Sequence, residues 1–209
     1  MTAKKLDLSF FSLLAANLIT LFLAVYYRWS LLELMWIYWF QSVTIGTFNF
    51  FRMMTPGLSG GFMPIGIKAF GSKLSGNGAD AAFFAFHYGF FHFLYAIFLL
   101  AFTFADDSPL LGPTPIFWPS VFGTALMFFV NHAFSFYYNW AKDAPKWTVD
   151  GLMFFPYARI IPMHLTLILG GAAEAFFPAS PWAIANFPVL LFLGLKTMAD
   201  LIMHRIEHR

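Results

Sequence analysis

The sequence predicts an all-α, polytopic membrane bundle of six transmembrane helices with both termini cytoplasmic. Three observations carry that prediction. The first is composition. Of 209 residues, 60% are hydrophobic and 11% charged, and the mean hydropathy is +0.70, far more apolar than an ordinary soluble domain. The second is segmentation. A spanning helix needs roughly 20 mostly apolar residues, and six such stretches fall at about 8–27, 31–51, 81–104, 117–139, 154–177 and 182–204. The third is the placement of positive charge. Lys4, Lys5, Arg52, Lys68, Lys73, Lys142, Lys146, Arg205 and Arg209 fall on one side of the spans, against Arg28 beside Asp106 and Asp107 on the other. Lys and Arg concentrate in cytoplasmic loops, which sets the orientation.

The length suits one transmembrane helical domain, residues 1–209. The absence of Cys removes disulfides, thiolate metal sites and a Cys nucleophile. Topology accounts for the net charge of +2, which gives no reason to expect a nucleic-acid partner. The partners expected are the lipid bilayer and a small molecule or ion. A homo-oligomer would supply a missing half if the chain transports a solute.

In chain order, Lys4 and Lys5 precede the first apolar run, which ends in Tyr26-Tyr27-Arg28 where a signal peptide would carry a small-residue cleavage site. It therefore reads as the first span. Arg28-Trp29-Ser30 is a tight turn. The second span carries Gln41, Ser42, Thr44 and Asn49, read as interhelical hydrogen-bonding groups, and Glu33, read as the ionic partner of Arg28. Residues 52–80 form a Gly- and Ser-rich loop. Phe62, Ile65, Ile67 and Phe70 beside Lys68 and Lys73 suggest a short interfacial helix within it. Gly57-Leu58-Ser59-Gly60 reads as a turn, not a nucleophile elbow. Pro119 and Pro181 lie near helix starts, where a missing N–H costs least. Pro162 should bend the fifth span near Arg159 and His164.

Depth follows from the rise of about 1.5 Å per residue. His87, His132, His164, Asp200 and His204 come from four different spans, yet all fall in the inner half of the bilayer. Imidazole suits zinc, iron and copper, and a carboxylate completes the set for a harder metal. Helix bundles commonly build such sites from facing helices. These five residues are the candidate ligands of a divalent transition metal, zinc or iron, or include the axial ligands of haem b. Lewis-acid hydrolysis or redox chemistry on a lipid-soluble substrate would suit such a centre. Lone membrane histidines more often join helices through hydrogen bonds, and His92 is read that way, meeting a backbone carbonyl.

Arg159, Lys196 and Asn131 share the same depth. Cations repel a dication, so Lys196 is expected to contact Asp200 one turn along its helix. The rival reading is a metal-free transporter or channel for a small anion, proton or solute, using Arg159, Lys196 and the titratable histidines. A third is a scaffold whose polar groups only hold helices together. No defined reaction follows from the residues.

The combined motifs are Tyr38-Trp39 through Ile45-Gly46 to Asn49, Phe86-His87-Tyr88-Gly89, Asn131-His132 with Ser135-Phe136 and Asn139, Pro156-Tyr157 with Arg159 and His164, Leu169-Gly170-Gly171, and Lys196 through Asp200 to His204 and His208. Together they resemble an uncharacterised family of prokaryotic integral membrane proteins, domain of unknown function 6498. The resemblance spans nearly the whole chain. It implies a compact helical protein of the prokaryotic inner (plasma) membrane and implies no activity.

Overall fold

The computed structural model describes residues 8–55, 58, 77–104, 116–158, 160–161 and 191–202. Among them there are six α-helices and no strand. They are α1 Leu8–Tyr26, α2 Leu31–Met53, α3 Gly78–Phe104, α4 Trp118–Asp143, α5 Val149–Ala158 and α6, residues 191–202. A 3-10 turn, Ala144–Lys146, joins α4 to α5.

The α1–α2 corner shows why the chain turns where it does. The Trp29 N–H donates to the Ala24 carbonyl at 2.9 Å, and the Arg28 N–H to Val25 at 3.4 Å. This is a Schellman ending, whose left-handed position usually holds glycine. Arg28 occupies it at φ 53°. Ser30 then caps α2: its hydroxyl accepts from the Glu33 N–H, and the Glu33 carboxylate accepts from the Ser30 N–H at 2.7 Å. The expected Glu33–Arg28 pair is therefore corrected. The carboxylate serves as a cap, and its other oxygen accepts from the Phe117 N–H at 3.0 Å, tying α2 to the start of α4. A local capping box outcompetes a surface ion pair because it satisfies backbone donors that are otherwise orphaned.

α2 is the hub. Every residue from Leu31 to Tyr38 is buried, and the helix packs against α3, α4 and α5. It meets α6 through the Tyr38 and Phe192 rings, 5.4 Å apart at 89°. α1 packs against α4. α2 packs tightly on α3 at Gly46, where a Cβ would stand 2.4 Å from Tyr88 Cε1. Lipid tails are as apolar as leucine, so helices in a membrane associate through such close packing and through hydrogen bonds.

Element boundaries differ from expectation at several ends. α3 begins at Gly78, three residues before the expected start, with Asp80 in its first turn. α5 begins at Val149 instead of 154, because Thr148 Oγ1 accepts from the Gly151 N–H at 3.2 Å and caps it. Thr44 and Asn139 bond back within their own helices, to Phe40 and Ser135, and do not bridge helices through those contacts. The interfacial helix, the Pro162 bend and the fifth connection lie outside the described residues. Among those residues, α3 alone is long and apolar enough to cross a membrane by length and composition. α2 carries Gln41, Asn49, Glu33 and Arg52 among its aromatic residues, which lowers its apolarity although its position is central.

Candidate functional site

The best-defined polar site lies where α1, α2, α4 and α6 meet. Lys196 and Asp200 are one turn apart on α6, so both project to the same face. Both are buried, at 3% and 0% exposure. Lys196 Nζ lies 2.8 Å from Asp200 Oδ2 and donates to Asn17 Oδ1 of α1 at 2.6 Å. Its ammonium also stands 4.0 Å from the centroid of the Phe128 ring of α4. A desolvated cation over an aromatic face gains about 2 kcal/mol. Asp200 Oδ2 accepts a second hydrogen bond, from Gln41 Nε2 of α2 at 3.3 Å, and the same Nε2 lies 3.3 Å from His132 Nε2 of α4. Four helices thus supply a cation, a carboxylate, two amides and an imidazole to one connected network. Lys196 and Asp200 bring opposite charges to it.

A second network lies on the neighbouring face of α2. His92 Nδ1 of α3 lies 2.8 Å from the Tyr88 carbonyl oxygen, and its Nε2 lies 2.8 Å from Ser42 Oγ. A carbonyl only accepts, so a neutral ring carries its hydrogen on Nδ1 and accepts from the Ser42 hydroxyl at Nε2. Tyr88 Oη lies 2.7 Å from Ser42 Oγ and donates to the Ser42 backbone carbonyl at 3.0 Å. The Trp39 indole N–H donates to the His92 carbonyl at 2.8 Å. All of these groups are uncharged in this arrangement.

The predicted residues separate accordingly. Asp200 and His132 are brought together, with Gln41 between them. Lys196 contacts Asp200 as expected. Asn131 sits beside the first network and accepts from Ser12 of α1. His87 goes elsewhere: its Nδ1 lies 2.6 Å from the Tyr157 hydroxyl of α5, and its ring stacks on Phe83. Among the described residues no three His, Cys, Asp or Glu side chains gather as a metal site. His164, His204, His208 and Arg159 lie outside the described residues.

Sequence reasoning treated Gln41 as interhelical glue and did not single out Asn17 or Phe128. Asn17 carried a signal, since an amide inside an apolar run must find a buried partner. Phe128 carried none, because nothing distinguishes it among 30 phenylalanines.

The fold and this site define an all-α protein with an internal polar network built around an ion pair. The chain belongs to a family of unknown function, DUF6498, whose model it matches over residues 1–209. Neither a curated protein nor a solved structure matches it.

Proposed function

We propose that the chain is a six-span protein of the prokaryotic inner membrane, both termini cytoplasmic, that moves a small anion together with a proton. The observation that carries this reading is the buried Lys196–Asp200 pair, with Nζ and Oδ2 2.8 Å apart. An ionisable pair inside an apolar bundle marks an ion or proton pathway by default. Desolvation disfavours uncompensated charge there. When Asp200 takes a proton, Lys196 loses the carboxylate charge 2.8 Å from its ammonium. An anion bound at the ammonium would replace that charge. Asn17 and Phe128 hold the ammonium in place through the exchange. Gln41 donates to the carboxylate and holds the titratable His132 ring beside it. Arg159, placed at the same depth by the sequence, would draw anions toward the site.

The test uses proteoliposomes loaded with a chloride reporter. An inward proton gradient should drive chloride uptake without need of a counter-ion ionophore. Lys196→Met and Asp200→Asn should abolish it, and Arg159→Ala should slow it. Unchanged uptake in both site variants overturns the reading.

A second reading keeps the metal ion, zinc or iron, or haem b, with a lipid-soluble substrate. The observation favouring it is that His132 and Asp200 meet at one amide nitrogen. Against it, the Lys196 ammonium already occupies Asp200 Oδ2, and a cation there repels a dication. Stoichiometric metal or a Soret band in protein purified without a histidine tag would favour this reading. Their absence would remove it.

A further inference from the structure

Away from the ionic site, two tyrosines lie side by side, and each is linked by hydrogen bonds to an imidazole. The Tyr157 hydroxyl of α5 lies 2.6 Å from His87 Nδ1 of α3. Its ring stands 5.4 Å from that of Tyr88, at 79°. Tyr88 reaches His92 Nε2 through the Ser42 hydroxyl, in steps of 2.7 and 2.8 Å. The rings of Phe84, His87 and Tyr88 surround Tyr157. Tyr157 and His87 are half-buried, whereas Tyr88 and His92 are buried.

A phenol resists one-electron oxidation chiefly because its radical cation is a very strong acid. A hydrogen-bonded base that takes the proton as the electron leaves removes that barrier. His87 stands where such a base must stand. From this geometry we infer that Tyr157 and His87 form a redox-active pair that reduces lipid peroxyl radicals. Tyr157 gives one electron to the peroxyl radical ROO• and its phenolic proton to His87 Nδ1. The peroxide anion ROO⁻ takes a proton from the imidazolium. The products are ROOH, neutral His87 and a neutral tyrosyl radical, and no other reactant is consumed. The reading is independent of ion movement, since it shares no residue with the Lys196 site.

The test places the full chain in liposomes of unsaturated lipid with a lipophilic azo initiator and reads the freeze-quenched electron paramagnetic resonance spectrum. The exposed Tyr26, Tyr27, Tyr137 and Tyr138 are first changed to Phe to remove background. A neutral tyrosyl signal should persist in that protein. It should lose most of its intensity in Tyr157→Phe and, with the phenol retained, in His87→Gln. Thermal melting confirms that each variant is folded. A signal that is absent in the starting protein, or undiminished in Tyr157→Phe, overturns the inference. So does an undiminished signal in His87→Gln, which would leave His87 a structural neighbour.

Discussion

Gln41 and Ser42 are adjacent on α2, both buried, and they enter opposite kinds of network. Gln41 bonds Asp200 and His132, beside the ion pair that Asp200 makes with Lys196. Ser42 faces Tyr88 and His92, where three neutral groups satisfy one another. On the uncharged side a lost hydrogen bond leaves only a dipole unsatisfied. On the charged side a lost partner leaves a bare ion in an apolar interior. The same helix therefore carries a fragile face and a tolerant one, and function is more naturally sought on the fragile one.

The largest expected effect comes from breaking the charged side. Lys196→Met removes the ammonium 2.8 Å from the buried Asp200 carboxylate and should cost about 3–5 kcal/mol of unfolding free energy. The double variant Lys196→Met/Asp200→Leu should recover most of that loss, because two apolar groups replace two ions. Denaturant unfolding in detergent checks both, and a double variant no better than the single would remove the claim of charge balance.

Next comes Gly46, on the uncharged side. A methyl at 2.4 Å from Tyr88 Cε1 must push α2 and α3 apart, so Gly46→Ala should cost about 1–3 kcal/mol. Adding Tyr88→Ala should relieve part of it. Ser42→Ala removes the link between Tyr88 and His92 and should cost about 1 kcal/mol, clearly less than Lys196→Met. Equal losses from the two would erase the distinction between the faces. The smallest effect lies outside both networks. Arg28 holds a left-handed φ of 53°, a conformation that costs a residue with a Cβ about 1 kcal/mol. Arg28→Gly should therefore raise the melting temperature slightly and leave both networks intact.

Much of this architecture was legible in the sequence. The first four helices lie where apolar runs of spanning length place them. The Lys196–Asp200 contact follows from four-residue spacing alone. What spacing could not give was which helix faces which. His87 and His132 share a predicted depth, yet one meets Tyr157 and the other Gln41. Depth is set by position along the chain, whereas convergence is set by the order of helices around the bundle. Glu33 was misassigned for a related reason: Arg28 is its neighbour in sequence, but the orphaned N–H groups of α2 and Phe117 compete for the same carboxylate.

The central claim, that Asp200 takes a proton when Lys196 takes an anion, has a direct readout in difference infrared spectroscopy. Coupling between two binding events is reciprocal, so chloride added at constant pH should draw a proton onto Asp200. The account predicts a protonated-carboxyl C=O band that grows with chloride in the wild-type protein. The band should be absent in Asp200→Asn and insensitive to chloride in Lys196→Met. A folded wild-type protein that shows no such band at any chloride concentration, or the same band in Asp200→Asn, would contradict it.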